Sequence, residues 1–376
     1  MASCALASIS SHFEELQDPR VSRSQWHPLI NVIGIGLCAV ICGAEAFTEM
    51  EEFGKRKRKW LAKFFDLSNG IPSHDTFNTV FARLKPEQFE RCLLSWITSL
   101  HEVTAGQILA VDGKTLRGSY DRGDNKAAVH MVSVWATKNH LSLGSVAVDE
   151  KSNEITAIPR LLELIDISGA MITIDAMGCQ KEIAKTIRKE GADYCLAVKD
   201  NQPSLHEAVQ EFFGEHLEDD FANHPCRRET TKEKAHGRRD ERHYFIAPIP
   251  KDFTCRAAWP GLRAVGMAIR ITEQDGRCTH DTRYYILSRY VSGSRFAEAV
   301  RRHWGIENQL HWQLDVTFRE DDLRIRKGHA PTNMSILMRT ALTLLKNETT
   351  NKRGMQTKRR AAGWDESYLE KVLTGT

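Results

Sequence analysis

The sequence predicts a mixed α/β protein with an all-helical N-terminal segment, an α/β core, and a β-rich insertion that interrupts the core before its last helices. Three observations carry that expectation. Apolar residues recur at three- and four-residue spacing up to about residue 100, and short apolar runs take over between 107 and 200. A second set of such runs lies in a charged, turn-rich stretch from 203 to 290.

Composition sets the frame. The chain has 376 residues, 41% of them hydrophobic, enough for two or three domains with buried cores and too apolar for a disordered chain. Lys and Arg number 52 against 49 Asp and Glu, a net of +3, so a polyanionic partner must be argued from local clusters. Nine cysteines with no CxxC pair, only Cys38 and Cys42 being close, fit neither a disulfide framework nor a zinc site. Reduced thiols and a cytoplasmic location are expected. The opening MASCALASISSHFEEL lacks a basic segment followed by an apolar core, so no signal peptide is expected. PLINVIGIGLCAVICGA, 28–44, is uncharged but is shorter than the roughly 20 residues that cross a bilayer. With Asn31 and three glycines in it, the run reads as a buried helix of a globular protein.

The elements follow in order. After the apolar helix comes MEEFGKRKRKWLAKFF, whose basic run precedes an amphipathic stretch. Ser73 can cap a helix that carries Phe77, Val80, Phe81 and Leu84 on one face, and Pro86 starts another with Phe89, Leu93, Trp96 and Leu100 inward. These short helices could form a helix-turn-helix DNA-binding unit or an ordinary helical cap. QILAVD, VHMVSVWAT and LSLGSVAVD read as consecutive strands, ITAIPRLLELI as a helix, MITIDA as a strand, CQKEIAKTIRKEG as a helix and DYCLAVKD as a strand. Three strands, then helix, strand, helix, strand is the order of a ribonuclease H-like core. SLHEAVQEFFGEH opens the insertion, with strands at RHYFIAPI, AVGMAIRIT and RYYILSRY. A helix over roughly 294–318 and one in NMSILMRTALTLLK complete the core. The expected divisions are 1–103, 104–202 together with 291–350, the insertion 203–290, and a basic tail at 351–376.

Two of these strands end alike. ILAVD closes on Asp112 before Gly113, and MITID closes on Asp175 before Ala176. Such an ending puts a carboxylate at the sheet's carboxyl edge, where ligands of open α/β sheets collect. A strand-terminal Asp is often only a turn former. The third acid lies on a helix: Val300, Trp304, His311, Leu314 and Phe318 share a stripe, and Glu307 falls in its middle. A carboxylate on an inward face must be neutralised, paired or bound to a cation, and Arg301, Arg302 or His303 could pair with it. Three carboxylates at one point would repel unless a cation sat among them. All-oxygen ligation suits Mg²⁺ or Mn²⁺, and two such ions can serve phosphoryl transfer.

Asp112 in AVDGKTLRGS, Asp175 in TIDAMGCQ and Glu307 in HWGIENQLHWQLDVTFRED resemble the three signature blocks of DDE transposases of bacterial insertion sequences, in particular the H-repeat-associated type. The resemblance runs through nearly the whole chain, from DPR, HPL, CAVICGAE, EEFGKRK and NGIPSHDTF to AHGRRDERHY in the insertion. It implies a ribonuclease H-like catalytic domain that cleaves element ends and transfers a strand. Water bound to one metal would free a 3′-hydroxyl, which would then attack target DNA. It also implies double-stranded DNA partners, the terminal inverted repeats and target, and a homodimer in the DNA complex. A nuclease without strand transfer and an inactive DNA-binding descendant are the rival readings. A related branch carries a Tyr-Arg-Glu-Lys signature; here His303 and Leu314 stand four before and seven after the glutamate.

Beside the triplet, Asn308, His311 and Asp315 lie near Glu307 on its helix, where His311 could orient it or touch a phosphate and Asp315 could hold His311 or a basic residue. Lys114, Arg117, Lys199, Arg301, Arg302, Arg319, Arg324, Arg326 and Lys327 flank the acidic blocks and could neutralise phosphates. The stretch RRETTKEKAHGRRDER reads as a solvated loop or a hairpin reaching toward DNA. Trp304 and Trp312 are expected in the core, with stacking on a flipped base as the alternative.

Overall fold

A computed structural model describes residues 9–100, 106–120, 127–148, 153–235 and 237–374; the boundary expected at residues 103–104 lies outside them. Up to Leu100 the helices are α1 (Leu29–Ile41), α2 (Phe47–Arg56), α3 (Arg58–Leu61), α4 (His74–Arg83) and α5 (Pro86–Leu100). Helix α1 is apolar all round and is correspondingly buried from Asn31 to Ile41. Among the described residues no helix is long and apolar enough to cross a membrane. Ser73 caps α4 as its side chain implies, accepting a hydrogen bond from the Thr76 amide.

Among the described residues nine strands form one sheet: β1 (Ile108–Thr115), β2 (His130–Ala136), β3 (Leu141–Val148), β4 (Met171–Ile174), β5 (Asp193–Val198), β6 (Arg227–Ala235), β7 (Arg238–Pro248), β8 (Ala264–Gln274) and β9 (Arg277–Leu287). Their order is β3-β2-β1-β4-β5-β9-β8-β7-β6. β1 pairs antiparallel with β2 and parallel with β4, which pairs parallel with β5. The crossovers are α6 (Glu154–Glu163) and α7 (Lys181–Lys189). After β5 comes α8 (Pro203–Glu218), and the strands of the expected insertion continue the same sheet, because β9 pairs antiparallel with the edge of β5.

The charged stretch is strand over 227–235 and again from Arg238 to Arg242, not a solvated loop. Its hydrophobicity is low, but cross-strand charges complement each other: Lys232 faces Glu241 at 3.1 Å and Arg242 reaches Glu233 at 3.1 Å. Asp240, only 5% exposed, gathers Arg238, Arg242, Arg270 and the Thr272 hydroxyl.

Helix α9 (Gly293–Ile306) crosses one face of the sheet. There Ile108, Met171 and Cys195 pack with Phe296, Ala299 and Val300. A one-turn π-helix (Glu307–His311) and α10 (Trp312–Val316) prolong it. Helix α11 (Ala330–Asn347) is buried from Ala330 to Leu345 and packs against α1, α4, α5 and β3, so the N-terminal helices and the sheet share one apolar core. The described part of the segment expected as a basic tail at 351–376 forms α12 (Met355–Trp364) and α13 (Glu366–Thr374). Ala362, Leu369, Val372 and Leu373 bury the apolar face of that pair.

Candidate metal centre

Strand alternation aims the aspartates. Counting by twos from Ile108 and Met171, which face α9, reaches Asp112 and Asp175. Val111 is in register with Ile174, so the two acids that follow stand side by side at the carboxyl ends of parallel neighbours. Asp112 accepts from the Gly113 amide at 2.9 Å and Asp175 from the Gly178 amide at 3.1 Å.

The third acid arrives through a change of helical pitch. The Trp312 amide donates to the Glu307 carbonyl five residues back, which defines a π turn and adds one residue to that loop of helix. Ile306, Leu310, Leu314 and Phe318 therefore point inward. Glu307 is not buried mid-stripe as the α-helical spacing predicts; it lies exposed at the rim, facing Asp112. Trp304 and Trp312, expected in the core, are 47% and 53% exposed, because the same phase places them outside the buried face. The three basic residues that could have paired with Glu307 have other partners. Arg301 binds Glu233, Arg302 binds Glu298 at 2.8 Å, and His303 meets the Thr173 hydroxyl at 3.3 Å.

Ligand atoms of Asp112, Glu307 and His311 all lie within 4.8 Å of one another. Asp175 lines the same cavity of about 360 Å³, together with Lys199, His303 and Trp304, but lies outside that tightest group. Burial pushes the Asp112 carboxyl up to about 8, and the nearby Glu307 charge adds to the effect. Such a carboxyl favours a proton or a cation, so the donors present fit a divalent ion. Burial, then Arg339, pulls the His311 imidazole down to about 3, which leaves it neutral.

The remaining candidates divide. Asp315 holds a basic residue, Lys114, at 2.7 Å, and Asn308 donates to the Trp304 carbonyl. Lys114 is 9% exposed and also meets Glu320 and Asp321, each at 3.1 Å. Burial pulls its ammonium down, but these three acids outweigh it and leave it raised. Arg117 reaches Asp321 at 3.5 Å with most of its side chain in solvent. Arg319 lies between Glu45 and Asp322, and Arg326 packs over the Tyr120 ring. Lys199, Arg324 and Lys327 are exposed.

Sequence reasoning missed the ion network beneath the site. Arg339, 2% exposed in the middle of α11, pairs with Glu320 at 2.9 Å and donates to Ser133 of β2 at 3.2 Å. The signal was a lone arginine in the apolar run of α11, which demands a buried carboxylate. His130, bonded to Glu154 at 2.6 Å and to Thr115 at 2.8 Å, fills the space beside Gly113, where a Cβ would meet the Glu154 carboxylate.

Fold and site together define an α/β protein with an acidic centre at the carboxyl edge of its sheet, assembled from two strand ends and a helix. Residues 104–344 match the family model described as a transposase DDE domain, and residues 10–97 match the model of the segment associated with it. The chain is 40% identical to "Putative transposase YncI" of Escherichia coli O157:H7, over 98% of this chain and 95% of the other. It is 39% identical to "H repeat-associated putative transposase YhhI" of Escherichia coli strain K12, over 99% of each. A solved piggyBac transposase synaptic complex with hairpin DNA is similar at a TM-score of 0.42 and 10% identity, covering 98% of this chain and 76% of that one. The chain belongs to the DDE-domain transposase family.

Proposed function

We propose that the chain is a DNA transposase whose Asp112, Asp175 and Glu307 hold divalent cations, Mg²⁺ or Mn²⁺, for phosphodiester cleavage at element ends and strand transfer into target DNA. The observation that carries this reading is the meeting of Asp112 with Glu307 beside Asp175, at an edge that three separate stretches of chain build. The strand order and the two parallel pairings support a ribonuclease H-like reading of residues 104–202 with 291–350, with 203–290 as the insertion.

Bound ions, two in this reading, would supply charge neutralisation for the attacking and leaving oxygens of an in-line displacement. Asp112 belongs both to the close group with Glu307 and to the strand-end pair with Asp175, so it would serve both ion positions. In cleavage the oxygen of water bonds to phosphorus, the bond to the 3′ oxygen breaks, and that oxygen leaves as a 3′-hydroxyl. In transfer the 3′ oxygen bonds to a target phosphorus, and the target's own 3′ oxygen departs with the proton. The acids would place the scissile phosphate, while the exposed Lys199, Arg324 and Lys327 would hold flanking phosphates of double-stranded DNA, with no membrane partner; Arg301, Arg302 and Arg319 would join them only by leaving their acid partners, and Arg326 only by leaving the Tyr120 ring. Lys114 and Arg117 would act instead by fixing the acids at the end of α10 and just after it, Asp315, Glu320 and Asp321.

A cavity of about 520 Å³ lies beside the acids, but its arginines are paired with Asp240, Glu233 and Asp281, so a DNA phosphate there would have to displace those acids. The cavity is lined by Arg238, Arg242, Arg270, Arg283 and Arg301, and by Trp304, over which Arg283 lies at 4.7 Å. Two protomers would act together to bring two terminal inverted repeats into one complex. The test is nicking of duplexes carrying the element's ends with Mg²⁺ or Mn²⁺. Asp112→Asn, Asp175→Asn and Glu307→Gln should each reduce the rate by about a hundredfold or more. Unchanged nicking in all three variants would overturn the assignment.

A further inference from the structure

The position of His311 is not explained by packing. Its ring is 5% exposed, and Nε2 has no hydrogen-bond partner among the described residues. Nδ1 stands 3.6 Å from Asp112 Oδ2, beyond hydrogen-bond length. A buried imidazole left without partners costs about 1–3 kcal/mol. A ring kept only to fill space would be replaced by an apolar one without that cost. The π turn holds this ring toward the acids, with one of its nitrogens within 4.8 Å of oxygens from both Asp112 and Glu307. That spacing suits three donors around one cation.

We infer that His311 is a nitrogen ligand, and that the ion nearest Glu307 sits in a mixed nitrogen and oxygen site built by Asp112, Glu307 and His311. The inference rests on the reading of Asp112 and Glu307 as ligands. It adds a preference: both ions are hard and favour oxygen, but Mg²⁺ holds to a rigid oxygen and water shell, so of the two Mn²⁺, at the start of the transition series, tolerates an imidazole nitrogen better. The Asp175 side of the cavity, where His303 turns Nδ1 to the Thr173 hydroxyl, would remain an oxygen site. The two ion positions would then differ in selectivity, and Mn²⁺ would fill the Glu307 side first.

The experiment is pulsed electron paramagnetic resonance of the full chain loaded with Mn²⁺ at up to one equivalent. Directly bound nitrogen should modulate the echo. Growth with histidine carrying the heavy nitrogen isotope should alter the modulation in the unsubstituted protein, which needs no variant to fold. His311→Gln should still bind Mn²⁺ but lose the modulation, and its preference for Mn²⁺ over Mg²⁺ should fall about tenfold. Tight Mn²⁺ binding that requires Asp112 but shows no nitrogen coupling, or coupling that survives His311→Gln, would overturn the inference and leave the carboxylate site standing. Failure of Mn²⁺ to bind, or binding indifferent to Asp112→Asn and Glu307→Gln, would overturn the carboxylate reading with it.

Discussion

Asp112 shows how one residue ties chemistry to stability. Its carboxyl rises from the ordinary 3.8 to about 8 in the folded chain, chiefly through burial and then through Glu307. A group with a raised folded pKa binds its proton more tightly when folded. Its stabilisation is full below the unfolded value and is lost as pH climbs through the folded one, so the metal-free protein should weaken between about pH 4 and pH 8. A divalent cation can take the place of that proton. The rise in Tm on adding Mn²⁺ should be small near pH 5 and larger near pH 8, and Asp112→Asn should flatten both dependences in thermal scans. An Mn²⁺ effect independent of pH would contradict the proposed electrostatics. At this scale Asp112, Asp175 and Glu307 were legible, since a charge that closes an apolar strand or interrupts an apolar stripe advertises itself. The rim placement of Glu307, outside the buried stripe, was not legible, because one extra residue in a helical turn leaves no mark in the spacing. Arg339 obeys the logic applied to Glu307 more strictly, being buried and paired with Glu320 at 2.9 Å.

Helix α9 is the element that delivers Glu307, and its seat on the sheet is a tight one. Phe296, fully buried, lies edge-on to Tyr244 and Tyr285 with centroids 6.1 and 5.5 Å away. Its ring tip occupies the place where Gly266 of β8 lacks a side chain: a Cβ there would stand 2.4 Å from Cζ. Both tyrosines hem the ring in, so it cannot swing clear without moving the helix. Gly266→Ala should therefore cost about 1–3 kcal/mol of stability, read as a lower urea midpoint. Nicking should slow as well, because the helix end that carries Glu307 would shift relative to Asp112. Normal stability with normal nicking would show that α9 is not seated by this contact. The elements themselves were largely legible, because strands β1 to β5 and helix α8 announce themselves by their apolar residues. Strand β6 and the start of β7 were hidden. Their stability comes from charge pairs across the hairpin, and such pairs appear in the sequence only as a polar stretch.

At the scale of the whole molecule, net charge says little and placement says more. The formal net is +3, yet many cations near the acidic centre are already matched by acids, as Lys114 is by Asp315, Glu320 and Asp321. Those matched inside the protein can release no counterions when DNA binds, so they should add nothing to the salt dependence. Cations left in solvent, Lys199 lining the cavity and Arg324 and Lys327 elsewhere on the surface, can do so. Each phosphate neutralised contributes close to one to the slope of log affinity against log salt. Alanine at Lys199, Arg324 or Lys327 should lower that slope by about one per contact, and weaken specific and unrelated duplexes alike. Lys114→Met should leave the slope unchanged while destabilising the fold, because it strands three acids beneath the site. The check is a fluorescence anisotropy titration of a labelled duplex across a range of salt in the presence of Ca²⁺, which fills acidic sites without driving cleavage. A slope that drops for Lys114→Met but holds for Lys199→Ala would reverse the placement of the DNA path across this face.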